Sequence, residues 1–269
     1  MNEANLTLAH LLAVAPDFGV TVRAQSASEA NVGVEVISPS GAATVFELTV
    51  RCDTERPVVL EKVPRQLPAA CIERHINDDG SFCLEWPAIA VTDAASAVHF
   101  WSQVARFLEH QRTATALRRW PGAQNDRAHG EAAQPQSEAE LLARALGPGV
   151  EAALRRGEYR VRRAAKRGGT RLQLYRGNSR LVQVRLPELT LIGNFPRCIC
   201  DAAMQARGAS PTCAEHAHEV ASFVMAIERW HRLHARHLDL MVARGYQCCG
   251  TIAECEIARR QLQPRRNVA

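Results

Sequence analysis

The stretch Arg74-His75-Ile76-Asn77-Asp78-Asp79-Gly80-Ser81-Phe82-Cys83-Leu84-Glu85-Trp86 decides how this chain is understood. It places a thiol (Cys83), an amide (Asn77) and an imidazole (His75) in one short loop, and Gly80 lets the backbone fold back. A nucleophile beside an amide donor and an imidazole is typical of acyl-transfer or thioester chemistry. The alternative is that Cys83 is an inert hydrophobic residue, as lone cysteines commonly are.

The elements around this loop favour catalysis. Apolar spacing predicts a first helix over residues 5–18, and alternation of apolar and polar residues predicts four strands over residues 20–25, 32–37, 44–51 and 57–63. Their connections are too short to hold crossover helices, so the strands form an antiparallel meander. After the loop, a long helix is predicted over residues 92–117, capped by Thr92 or Asp93.

This order, with the loop itself, resembles the ubiquitin-conjugating enzyme (UBC) fold over roughly residues 1–135. Members of that family carry a His-Pro-Asn tripeptide shortly before the active cysteine, which is followed by Leu. The matching residues here are His75-Ile76-Asn77 and Cys83-Leu84, so Pro is replaced by Ile76. The interval from His75 to Cys83 is also a residue or two shorter than in eukaryotic members. Such divergence fits the bacterial ubiquitin-conjugating-like proteins of antiphage operons, some of which carry a cysteine-rich C-terminal region.

The resemblance implies a role for each residue of the loop. Cys83 would carry a ubiquitin-like protein as a thioester, and Asn77 would stabilise the oxyanion when an amine attacks. His75 would support the loop rather than act as a base. Among the nearby acids Asp78, Asp79, Glu85 and Asp93, the sequence singles out none as the group that helps deprotonate the attacking amine.

Charge and cysteine content divide the chain into two modules, 1–135 and 136–269. Residues 1–136 carry 11 Arg and Lys against 16 Asp and Glu, whereas residues 137–269 carry 22 against 12. The predicted linker is residues 125–136, and the predicted fold class is α+β. The start of the chain lacks the features of a signal peptide, and no apolar run could span a membrane, so we expect a cytoplasmic protein whose thiols stay reduced.

The second module is predicted to be mainly helical, cysteine-rich and stabilised by zinc, since reduced cysteines that cluster favour metal ligation. The candidate ligands are Cys198, Cys200, Cys213, His216, Cys248, Cys249 and Cys255. A long helix over about residues 214–244 would span about 45 Å, so a single zinc site joining Cys213 to Cys248 would require a bend. Disulfides or free thiols are the alternatives to zinc.

Residues 155–185 contain eleven Arg and Lys and one acid, and they predict a basic β-hairpin with a turn at Gly177-Asn178. An acidic protein is the favoured partner, such as the ubiquitin-like protein or its activating enzyme. Nucleic acid is less favoured because Tyr159 and Tyr175 are the only aromatic residues there. The functional alternative to the conjugating enzyme is a non-catalytic adaptor, in which the UBC-like domain only binds and the basic metal-binding module contacts protein or nucleic acid.

Overall fold

The computed structural model describes residues 3–37, 41–85, 87–121, 128–166, 169–192, 199–200 and 216–262. The chain forms two compact units. The first contains Met1–Pro121 together with Gly245–Ala269, and the second contains Gly122–Arg244. The end of the chain, which the sequence analysis assigned to the second module, therefore folds within the first unit.

Helices and strands follow one another in the order that the sequence predicts for the first unit. In the described residues, the helices are α1 (Glu3–Val14), α2 (Ala94–Leu117), α3 (Ala133–Leu146), α4 (Pro148–Arg155), α5 (Ala217–Ala243) and α6 (Glu256–Leu262). The strands are β1 (Val20–Gln25), β2 (Glu29–Ile37), β3 (Ala43–Arg51), β4 (Val58–Glu61), β5 (Tyr159–Lys166), β6 (Gly169–Arg176), β7 (Ser179–Arg185) and β8 (Thr190–Leu191). The predicted α+β class is confirmed.

The first unit is an antiparallel sheet in the order β1-β2-β3-β4, with helices packed against it. Alternate residues of β2 and β3 are buried in one core, because successive side chains of a strand point to opposite faces. Helix α2 contributes Phe100, Trp101 and Val104 to the same core. The indole nitrogen of Trp101 donates to the carbonyl oxygen of Leu11 at 2.9 Å, which ties α2 to α1.

The start of α2 is fixed by a capping box. The Asp93 carboxylate accepts a hydrogen bond from the backbone N–H of Ser96 at 2.7 Å, and the Ser96 hydroxyl lies 3.0 Å from the backbone N–H of Asp93. Of the two predicted caps, Asp93 is therefore the residue used.

The second unit holds a second antiparallel sheet, in the order β5-β6-β7-β8. The sequence predicted only the hairpin of β6 and β7 with its turn at Gly177-Asn178, so β5 and β8 are additions. Helix α5 covers one face of this sheet, where Phe223 meets the ring of Tyr159 edge-on at 5.5 Å. Helix α3 begins at Ala133, inside the segment that was predicted to be a linker. In the described part of the chain, no helix is long and apolar enough to cross a membrane.

Candidate active site

The stretch quoted at the outset folds into a short hairpin on the edge of the first sheet. Ile76 pairs with Phe82, and Ser81 pairs with Leu60 of β4. The N–H of Asn77 donates to the carbonyl of Ser81 at 2.8 Å, and the N–H of Cys83 donates to the carbonyl of His75 at 2.8 Å. The hairpin therefore sets residue 75 opposite 83 and residue 77 opposite 81.

This register places the chemistry on one face. Alternate residues of a paired strand share a face, so Asn77, Ser81 and Cys83 lie on the same side of the hairpin. Ile76 and Phe82 point the other way and are buried in the core. Phe82 stacks on Phe107 of α2 with ring centroids 4.4 Å apart. Cβ atoms at diagonal positions of such a pair are about 7–8 Å apart, which sets the separation expected between Asn77 and Cys83.

Gly80 closes the hairpin with a left-handed φ of 83°. A Cβ at this position would lie 3.3 Å from the carbonyl oxygen of Ala69, so a side chain would be both strained and crowded. The turn is further held by Asp79, whose carboxylate accepts the N–H of Ser81 at 2.9 Å. Although partial burial opposes ionisation of Asp79, its hydrogen bonds with Ser81 lower the pKa of the carboxyl.

The three predicted catalytic residues differ in their surroundings. Cys83 is half-buried, and burial raises the pKa of its thiol. Asn77 donates from its side-chain amide to the Ser81 hydroxyl at 2.9 Å. His75 has a left-handed φ of 54° and stands 5.1 Å from the ring of Trp120, centroid to centroid. The Ser81 hydroxyl thus holds the Asn77 amide in one orientation, and the His75 ring packs against Trp120.

The four nearby acids can now be told apart. Asp93 caps α2 and Asp79 holds the turn, so both carboxylates have structural partners. Glu85 follows Cys83 by two residues. Its carboxylate lies 2.6 Å from the imidazole Nε2 of His99, and both side chains are exposed. Asp78 is exposed at the tip of the turn. Asp79, Asp93 and Glu85 therefore each have a hydrogen-bonding partner, and Asp78 stands at the exposed tip of the turn.

Arg74 anchors the base of the hairpin, and sequence reasoning missed it. Its side chain is only 2% exposed, and its guanidinium donates to Gln111 Oε1 at 2.7 Å and to the carbonyl oxygen of Gln111 at 2.8 Å. It also donates to the hydroxyls of Thr115 at 2.8 Å and Thr251 at 3.2 Å. In return, Gln111 Nε2 donates to the carbonyl oxygen of Arg74 at 2.6 Å. Burial lowers the pKa of this guanidinium.

The last segment of the chain packs against the same base. Cys249 Sγ lies 2.9 Å from Sγ of Cys71, the residue that precedes the turn leading into the hairpin. The N–H of Glu256 donates to the carboxylate of Glu73 at 2.9 Å. Residues 249–256 therefore form part of the support of the candidate active site.

The Cys71–Cys249 pair has an asymmetric electrostatic environment. The hydrogen bond with Cys71 lowers the pKa of the Cys249 thiol to about 5, and Thr251 and the Arg74 charge act in the same direction. The hydrogen bond with Cys249, together with burial, raises the pKa of Cys71. The contact thus favours the thiolate form at Cys249 and the thiol form at Cys71. No local signal pointed to this pair, because its members are 178 residues apart in the chain.

The predicted metal ligands are divided between the two units. Cys200 and His216 belong to the second unit, whereas Cys248, Cys249 and Cys255 belong to the first; Cys198 and Cys213 lie outside the described residues. In the first unit, Cys248 hydrogen-bonds Cys255 and Cys249 contacts Cys71, and the charge of Cys255 contributes to the raised pKa of the Cys71 thiol. Among the described residues, no three or more His, Cys, Asp or Glu side chains are arranged to hold a metal ion.

Two family models match the chain. Residues 18–122 match the model described as prokaryotic E2 domain, and residues 128–257 match the model described as cysteine-rich domain, C-terminal to E2 domain. The chain carries a prokaryotic E2 domain followed by a cysteine-rich domain. No curated protein and no solved structure matches it. The E2 domain contains the whole hairpin, and the match to the cysteine-rich domain extends past residue 244 into the segment that supports it.

Proposed function

We propose that this protein is a ubiquitin-like-protein conjugating enzyme that carries its cargo as a thioester on Cys83 and passes it to a target amine. The observation that carries the proposal is the hairpin of the E2 domain, in which Asn77 and Cys83 lie on the same side and Ser81 holds the Asn77 amide. A thiolate is both a strong nucleophile and a good leaving group, so one cysteine can accept an acyl group and release it.

In the first step, the Cys83 sulfur attacks the carbonyl of the thioester between the ubiquitin-like protein and the activating enzyme. The cysteine of the activating enzyme leaves as a thiolate. In the second step, the target amine attacks the new thioester, an oxyanion forms, and the Cys83 thiolate departs. The Asn77 amide has two N–H bonds. One is directed to Ser81 Oγ and fixes the side chain, while the other is available to the oxyanion. Glu85 or Asp78 takes the proton released by the amine.

The test incubates the protein with its cognate activating enzyme, its ubiquitin-like protein and ATP. The wild-type protein should form an adduct that a thiol reductant cleaves, and Cys83→Ser should form an oxyester that resists the reductant. Asn77→Ala should be charged at a near-normal rate and discharge about 10²-fold more slowly, since one oxyanion donor is commonly worth that much. Cys200→Ser, which changes a cysteine of the second unit, is the matched control and should still charge. An adduct on Cys83→Ala would refute the assignment.

A non-catalytic adaptor is the second candidate, and the burial of Cys83 favours it. Burial keeps this thiol protonated at neutral pH, as in structural cysteines. For an adaptor, the ubiquitin-like protein should bind to the E2 domain equally well in wild-type protein and in Cys83→Ala, with no covalent adduct in either. Adduct formation by the wild-type protein excludes this function.

The cysteine-rich domain is proposed to bind one structural zinc ion through Cys198, Cys200, Cys213 and His216. Three thiolates and one imidazole are a common zinc set, and these four remain after the other predicted ligands are assigned to the first unit. Zinc would stabilise the fold of this part of the domain by joining its four ligands, and it would take no part in catalysis. Elemental analysis should find one zinc per chain that is lost in Cys200→Ser and retained in Cys249→Ser. Loss in Cys249→Ser and retention in Cys200→Ser would move the site to the first unit.

The proposal extends to setting. We place the conjugation in the cytoplasm, in a bacterial antiphage system. A strain carrying the complete operon should reduce phage plaque numbers, and the same operon with Cys83→Ala should not. Equal protection by both operons would separate any defence role from thioester transfer.

A further inference from the structure

The second sheet has one covered face and one open face, and arginine is distributed unequally between them. The covered face packs on α5 through buried residues such as Leu172, Leu174, Val182 and Val184. The pairing register places the alternate residues of β5, β6 and β7 on the opposite side. The open arginine face consists of Arg160, Arg162, Arg171, Arg180 and Arg185, together with Gln173, Tyr175 and Gln183.

These side chains form rows across the strands. Arg160, Tyr175 and Arg180 make the first row, and Arg162, Gln173 and Gln183 make the second. In the third row, Arg171 lies directly opposite Arg185. Like charges in directly opposite positions destabilise a sheet. The open arginine face therefore costs stability unless an anion offsets its charge.

Carboxylate partners are present elsewhere in the unit but not on this face. Arg163, which points to the covered side, lies 3.2 Å from Glu228 of α5, and Arg176 at the end of β6 lies 2.7 Å from Glu158. None of the five arginines of the open arginine face forms an ion pair within the part of the chain that the structure describes. Arg160, Arg162, Arg180 and Arg185 are exposed, and the Nε of Arg171 is buried without a hydrogen-bond partner among the described residues.

The side chains that lie between the arginines indicate whether the face would bind a nucleic acid or an acidic protein. The guanidinium groups of Arg160 and Arg162 lie 5.7 and 5.1 Å from the centre of the Tyr175 ring. Such an aromatic–guanidinium platform is a surface on which nucleobases stack. Gln173 and Gln183 lie opposite each other and offer amide donors and acceptors of the kind that read base edges. Tyr and Arg are also enriched in protein interfaces, so an acidic protein is the alternative that the test below must separate from a nucleic acid.

We propose that the open arginine face binds a single-stranded nucleic acid, with phosphates on the arginines and bases against Tyr175 and the two glutamines. This activity lies outside the thioester chemistry and does not depend on Cys83. It gives the cysteine-rich domain a ligand by which a conjugating enzyme is brought to, or switched by, a polynucleotide.

The test measures fluorescence anisotropy of labelled single-stranded RNA, single-stranded DNA and duplex DNA with the full chain across a salt series. Single strands should bind with an affinity that falls as salt rises, and the duplex should bind more weakly. Arg162→Gln/Arg185→Gln should weaken binding about tenfold and reduce the salt slope by about 1.4, or about 0.7 per lost phosphate contact. Arg144→Gln/Arg155→Gln removes the same charge from α3 and α4 and should bind like wild type.

Tyr175→Leu separates stacking from charge. It should weaken binding about tenfold without changing the salt slope, because stacking releases no counterions. Cys83→Ala should bind like wild type, so the result is independent of the proposed enzyme function.

Several results would overturn the proposal. These are no binding of either single strand at about 100 μM protein in low salt, tighter binding of the duplex, or equal losses in the two double variants. Competition by poly-glutamate as strong as that by single strands, with no effect of Tyr175→Leu, would assign the face to an acidic protein instead.

Discussion

Replacement of Arg74 by Met tests whether one buried guanidinium holds the candidate active site to its scaffold. The variant removes four hydrogen bonds, two of them to Gln111, and leaves Gln111 Oε1 buried without a donor. Hydrogen bonds to a charged group are worth about 1.5–3 kcal/mol each. Relief of the desolvation penalty offsets several kcal/mol of that sum. We therefore expect the free energy of unfolding of the first unit to fall by about 3 kcal/mol.

The assay is urea denaturation followed by tryptophan fluorescence, with Trp230 replaced by Phe in every variant so that the signal comes from the first unit. Arg106→Met is the matched control, since Arg106 is exposed on α2, the helix that carries Gln111. It should change the free energy of unfolding by no more than about 0.5 kcal/mol. Arg74→Met should also speed alkylation of Cys83, because the hairpin loses its anchor. A loss below about 1 kcal/mol, with unchanged alkylation, would refute the anchoring role.

Three further predictions concern the hairpin and its support. Burial raises the pKa of Cys83, so below that pKa its alkylation rate should rise about tenfold per pH unit; a rate that is flat from pH 6 to 8 would contradict this. Ile76→Pro gives this chain the His-Pro-Asn tripeptide of the ubiquitin-conjugating enzymes. In this chain, however, the Ile76 N–H donates to the carbonyl oxygen of Cys71 at 2.9 Å, and proline has no N–H to replace it. Urea unfolding should therefore show a loss of about 1–3 kcal/mol for Ile76→Pro and less than about 1.5 kcal/mol for Ile76→Val, and equal losses would contradict the argument. A chain ending at Arg244 loses the buried Ile252 and Ile257, whose burial stabilises the fold by about 1.5–3 kcal/mol each. Hydrogen exchange at residues 71–83 should therefore accelerate, and unchanged exchange would show that residues 245–269 do not support the hairpin.

Local patterns were sufficient to predict the first sheet and its helices. Alternation along β2 and β3 reports one buried face, and this signal survives without tertiary information. The hairpin could also be anticipated, since Gly80 and the spacing from Asn77 to Cys83 are short-range features. Strand β5 was missed because Arg163 stands where the alternation of Tyr159 and Val161 requires an apolar residue, and only pairing with β6 makes that segment a strand.

Contacts between distant residues could not be predicted in the same way. An arginine in a sequence indicates a surface position, and nothing near Arg74 announces that Gln111, Thr115 and Thr251 will surround its side chain. The Cys71–Cys249 contact is hidden for a related reason. Cys249 stands in a cysteine-rich segment where metal ligation was the natural interpretation, and its partner lies in the other predicted module.

The position of the last segment changes how the two domains relate to function. By sequence, residues 245–257 belong to the cysteine-rich domain, yet they fold in the unit that contains the E2 domain. Cys249 and Thr251 reach Cys71 and Arg74, the residues from which the hairpin emerges. The contact with Cys71 lowers the pKa of the Cys249 thiol, and a chemical change at Cys249 would act on the base of the candidate active site. An E2 domain cut at its family boundary lacks this support, so its stability and its thiol reactivity would differ from those of the intact chain.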